Sequence, residues 1–103
     1  MNTALNNFRT YSLAKQLYKA CASLKLDYVL KDQLNRATLS VVLNLAEGSA
    51  KRTIAEKRRF YDIAFGSLRE SQAILELVGD ETLIKQADQT AASAYKLIKG
   101  TVP

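Results

Sequence analysis

The amino-acid sequence predicts an all-α protein: a single domain over residues 1–103, folded as an antiparallel, up-down-up-down four-helix bundle. Three observations lead there. Apolar residues recur at steps of three and four through four separate segments. The only proline is the last residue, so no helix is interrupted from within. Three of the four glycines, Gly48, Gly79 and Gly100, fall where the apolar pattern breaks. The turns are therefore short, and neighbouring helices run in opposite directions.

The first helix is expected over roughly residues 10–25, where Leu13, Leu17, Ala20, Cys21 and Leu24 line one face, with Thr10 or Ser12 as N-cap. The second is expected over 28–47, with Leu30, Leu34, Ala37, Thr38, Val41 and Leu45 inward, Asp27 as cap and Gly48 just past its end. The β-branched run Thr38–Val42 keeps helical phase with both flanks and reads as helix. Thr53 and Glu56 form a capping box that opens a third helix over 54–78. Its expected core face holds Phe60, Ile63, Ala64, Ser67, Ser71, Ile74 and Val78, and Gly79 ends it. Asp80 caps a fourth helix over 81–99, with Leu83, Ile84, Ala87, Ala91, Ala94, Tyr95 and Ile98 inside and Gly100 at its end.

Composition excludes several function classes. With 48% hydrophobic and 24% charged residues the chain is globular rather than disordered or fibrous. It has no His, which removes Cys/His zinc clusters and His-based triads. No glycine-rich phosphate loop is present, since Gly48-Ser-Ala-Lys51 lacks the spacing. Asp62 and Glu76 read as helix-surface charges, and Ser40, Ser67 and Ser71 have no His base. Cys21 phases with the first helix's apolar face, as a small core residue. No enzymatic activity, metal or cofactor is expected. Residues 1–8 are polar and no apolar run approaches membrane-spanning length, so the expectation is a cytoplasmic protein with no membrane contact.

The second helix carries more apolar surface than one core needs. At about 100° per residue, Leu39 and Leu43 fall opposite the face centred on Leu34. Arg36, Ser40, Leu43 and Glu47 form a stripe on that far side. Either the two leucines are ordinary exposed residues or this face is a subunit interface; leucines next to charges on a second face favour self-association. The third helix has a comparable stripe of Arg59, Gly66, Glu70 and Ala73. Gly66 either permits a close backbone approach or is simply tolerated. Glu70 is placed to pair with Arg36 across helices or subunits.

Charge is concentrated. The run from Lys51 to Arg59 holds Lys51, Arg52, Lys57, Arg58 and Arg59 against Glu56 alone, nearly the whole of the chain's net charge of +5. Cations at a helix N-terminus oppose the helix dipole, so local stability does not explain them. Free N–H groups at such a terminus attract anions, and surrounding Lys and Arg strengthen that attraction. Either this is a solvated basic turn or it contacts nucleic acid or an acidic protein. Phe60 phases with the core, and Tyr61 lies at its edge, open to either role.

The run Leu30-Lys-Asp-Gln33-Leu34-Asn-Arg36-Ala37, then Ser40, then Asn44-Leu-Ala-Glu47-Gly48, resembles the 23S rRNA intervening-sequence protein family. That family's pattern continues with a basic loop, a Glu-x-x-x-Phe/Tyr element, matched by Glu56 and Phe60, and a Gly-Ser-x-x-Glu element, matched by Gly66, Ser67 and Glu70. The likeness spans roughly residues 8–98. Ala14 stands where members usually carry Trp, and Val42 where they often carry Pro. The resemblance implies a bundle that assembles into a homopentameric ring, without catalytic activity. It also implies a basic surface that contacts RNA or DNA, at Lys51, Arg52, Lys57, Arg58 and Arg59. Its relatives include the accessory protein of diversity-generating retroelements, which implies a second kind of role, a scaffold docking a reverse transcriptase or another nucleic-acid-bound protein. The expected assembly face is Arg36, Leu39, Leu43, Glu47 and Glu70.

Overall fold

Four helices account for most of the described residues in the computed structural model, which describes residues 8–102. The polar N-terminal stretch read against a targeting segment lies, for residues 1–7, outside the described residues, as does Pro103. Helix α1 spans Arg9–Ala22, α2 Tyr28–Ser49, α3 Ile54–Val78 and α4 Glu81–Gly100. There is no strand among the described residues. Each helix packs on two others: α2 on α1 and α3, α4 on α1 and α3. The result is a four-helix bundle of 42 × 27 × 21 Å.

The caps follow local chemistry. Asp27 accepts a hydrogen bond from the Leu30 N–H, and Asp80 from the Leu83 N–H. Thr53 Oγ1 accepts from the Glu56 N–H and donates to Glu56 Oε1, both at 3.1 Å. Gly79, at φ +83°, ends α3 in the left-handed conformation glycine adopts freely. At the start of α1 the cap position belongs to Phe8, with no side-chain bond, rather than to Thr10 or Ser12. Thr10 instead lies inside the helix, buried, with its hydroxyl 2.7 Å from that of Ser93. α1 also ends at Ala22, three residues early, because Lys31 Nζ donates to the carbonyls of Ala22 and Leu24 and closes the helix there.

The core is aliphatic: Leu17, Leu34, Val41, Leu45, Leu68 and Leu75 are at most 1% exposed. Each such side chain contributes about 1.5–3 kcal/mol by leaving water. Buried hydroxyls close onto the preceding turn, Thr38 on Leu34 O, Ser71 on Ser67 O and Thr90 on Gln86 O. One buried polar atom, Asn35 Oδ1, has no partner among the described residues.

Three expected core positions are corrected. On α3 the inward residues are Tyr61, Ala64, Leu68, Ser71, Ile74 and Leu75. Phe60 is therefore half-buried, and Ile63 is 42% exposed. The expected face was rotated because Phe60 and Ile63 are as apolar as the residues that bury, and periodicity alone does not rank them. On α4, Tyr95 is exposed and covered by Lys99 rather than by the core. Gly48 does not follow α2 but sits within its last turn, buried. A Cβ there would meet the Tyr61 ring at 2.6 Å, so only glycine lets α3 approach this closely.

Candidate nucleic-acid interface and assembly face

The basic turn is built on a tight corner. The end of α2 and the start of α3 are joined by residues 50–53. Gly48 lies against Tyr61, and the Phe8 ring stands 6.1 Å from that of Tyr61. These contacts bring the start of α1 to the same end of the molecule, and the Thr10–Ser93 bond brings the second half of α4.

The five predicted cations divide by what they do. Lys57 donates to Ser49 O at 3.1 Å, which satisfies a carbonyl at the end of α2. Lys51 pairs with Glu47 at 3.2 Å. Arg52, Arg58 and Arg59 are exposed and have no carboxylate partner among the described residues. The fold thus employs one cation of the cluster as a cap and leaves three arginines unneutralised around the N-terminus of α3.

Cations that sequence reasoning missed join them. Arg9 and Lys96, with Thr10, Gln89 and Ser93, line an open cleft of about 690 Å³ between α1 and α4. No local signal marks them, because they lie some forty residues from the basic run on either side. Residues 8–15, 40–65 and 90–102 hold nine of the fifteen Lys and Arg and three of the ten carboxylates. The net positive charge of the chain therefore sits at this end.

The second predicted surface lies along α2 and α3. Leu39 is 39% and Leu43 56% exposed on α2, and Ile63 is exposed on α3. Between the two helices Ser40 Oγ and Ser67 Oγ share a hydrogen bond of 2.7 Å, and Asn44 Nδ2 donates to Ser40 O and Oγ. Ser40 thus belongs to the packed seam rather than to the outer stripe. Gly66 is exposed, with nothing within 4 Å of a built Cβ, so no neighbour inside the protomer requires a glycine there. Arg36 pairs with Asp32 at 3.0 Å on its own helix, not with Glu70, and Glu70 has no ion-pair partner among the described residues.

Cys21 is fully buried, and its thiol pKa is pushed up to about 11 by burial first, then by the Asp80 carboxylate, against the opposing pull of Lys31. Such a thiol is protonated and unreactive at neutral pH. Burial also raises the Tyr61 phenol. Among the described residues no group of His, Cys, Asp or Glu could hold a metal ion, and no helix is long and apolar enough to cross a membrane. No curated protein matches the chain. Along almost its whole sequence, over residues 4–99, the chain matches the 23S rRNA-intervening sequence protein family, and it belongs to that family.

Proposed function

We propose that this protein is a non-enzymatic, cytoplasmic oligomer that binds nucleic acid, RNA or DNA, through the basic α2–α3 turn. The observation that carries the reading is the trio Arg52, Arg58 and Arg59, exposed without carboxylate partners where the backbone has already been capped by Thr53 and Lys57. Contacts from such a surface go to phosphates, so binding is weakly sequence-specific and falls steeply with salt. The name of the family points toward ribosomal RNA genes. A titration with RNA and with DNA at two salt concentrations tests it. Absence of binding at low salt, or binding indifferent to neutralisation of Lys57, Arg58 and Arg59, overturns it.

The assembly belongs to the same proposal. An up, down, up and down course is supported by the Ser40–Ser67 and Gly48–Tyr61 contacts, which pair residues in opposite order along α2 and α3. The face holding Arg36, Leu39, Leu43, Glu47 and Glu70 then meets a second copy, closing a homopentameric ring that repeats the basic turn. The unexplained exposure of Gly66 and of Ile63 supports this face. A solution mass of a single 11.4 kDa chain would overturn it. A second reading, a scaffold for a reverse transcriptase or another nucleic-acid-bound protein, is favoured by exposed apolar side chains at the start of α2 and near the end of α3. Tyr28, Val29 and Leu77 are 84%, 66% and 79% exposed.

A further inference from the structure

Two cations of the basic turn converge on one aromatic ring. Lys51 Nζ lies 5.0 Å from the centroid of Phe60, and Arg59 Cζ lies 5.4 Å from it. Arg59 is the ring's neighbour in sequence on α3, whereas Lys51 reaches the same ring from the turn, nine residues before it. The side chain is anchored at its base. A Cβ built on Gly48 would stand 3.1 Å from Phe60 Cβ, and the adjoining Tyr61 is buried. The close approach of α2 therefore leaves the base of Phe60 little room to shift.

We propose that Phe60 is a positioning residue for anion binding: its ring holds Lys51 and Arg59 as a two-point clamp for the phosphodiester backbone of nucleic acid. The inference rests on the nucleic-acid reading of the same patch. Long cationic side chains lose rotamer freedom when they settle on a phosphate. A π face that orders them beforehand removes part of that loss. The ring differs from a carboxylate in one respect that matters here. It attracts a cation without cancelling the charge, so the outer side of each cation stays available to an anion. Glu47 acts on Lys51 in the opposite sense, since at 3.2 Å it neutralises the ammonium that a phosphate must reach. The other members of the cluster have no such support: Lys57 is bound to Ser49 O, and no aromatic ring lies under Arg52 or Arg58 among the described residues.

The test uses the full chain and a short fluorescein-labelled RNA of mixed sequence. Phe60→Leu keeps every charge and an apolar side chain but removes the π face. It is expected to weaken binding about fivefold at low salt, while Phe60→Tyr binds as the parent does. In a Lys51→Ala, Arg59→Ala background, Phe60→Leu is expected to add nothing. If the parent binds and Phe60→Leu binds equally well, the clamp is overturned and the nucleic-acid reading stands. If Phe60→Leu is as damaging in the Lys51→Ala, Arg59→Ala background as in the parent, Phe60 acts by stacking on a base and the positioning role is overturned. If the parent binds no RNA at low salt, both readings are overturned. A second measurement does not depend on how the variants fold. In the free parent protein, the side-chain protons of Lys51 and Arg59 nearest the ring should resonate upfield by the ring current; ordinary shifts for both overturn the clamp.

Discussion

The two ends of the bundle use charge differently. Where α1 joins α2 and α3 joins α4, charged side chains close backbone groups: Asp27 and Asp80 cap helix starts, and Lys31 closes the end of α1. At the α2–α3 corner a neutral threonine caps α3, Lys57 closes α2, and Arg52, Arg58 and Arg59 are left over. The contrast shows how to read a charged residue. Once those that satisfy an orphaned N–H or C=O are set aside, the remainder marks the surface open to a partner.

The largest expected effect follows from removing that remainder. Replacing Arg52, Arg58 and Arg59 together by Gln should lower RNA affinity by about a hundredfold near physiological salt and flatten the salt dependence by about three phosphate contacts. The unfolding midpoint should barely move. Loss of stability with unchanged binding would reverse the assignment of the two ends.

Alkaline pH should act next, and on the opposite end. Cys21 titrates at about 11 in the folded protein and at 9.0 in an unperturbed thiol. Between those values the unfolded chain has lost the proton and the folded one has kept it, so stability falls as pH rises through the window. The fall should reach about 2–3 kcal/mol by pH 11 in urea titrations. Cys21→Ala should remove that part of the slope. A slope unchanged by the substitution would show that the thiol does not contribute.

Glycines then separate corner from outer face. Gly48→Ala should cost about 1–3 kcal/mol in chemical denaturation, because its methyl group meets the Tyr61 ring. Gly66→Ala has space and should stabilise an isolated protomer by about 0.5–1 kcal/mol. If the α2–α3 face pairs with another copy, the same change should weaken assembly in sedimentation experiments. The smallest effects belong to the caps. Asp80→Ala and Thr53→Ala should each lower stability by about 1 kcal/mol. Asp80→Ala should leave RNA binding untouched; a change in affinity there would join two ends that the comparison keeps apart.

Much of the fold was legible in the sequence. Asp27, Thr53, Asp80 and Gly79 announce helix boundaries because capping is a local matter of one side chain and one or two peptide groups. Leu39 and Leu43 were legible as an outer pair because phase alone separates them from Leu34. Phase failed on α3, where apolar residues lie on both sides of the helix and Tyr61 buries in place of Phe60. Gly48 misled for a related reason: a glycine needed for close approach looks, in a single sequence, like one that ends a helix. The basic run was plain to read, but Arg9 and Lys96 join it only through contacts distant along the chain, as does the division of labour that binds Lys57 to Ser49.

The hydrogen bond between Ser40 and Ser67 has a consequence for how the helices are held in height. Leucine and alanine seams are forgiving, and two helices joined by them can slip by one turn with little change in contact. A pair of hydroxyls that meet turns such a seam into a latch with a preferred notch, since a slipped α3 would break the bond between them. The latch fixes how far the start of α3 projects beyond the end of α2. Two small side chains near the middle of the molecule thus set the elevation at which the arginines stand.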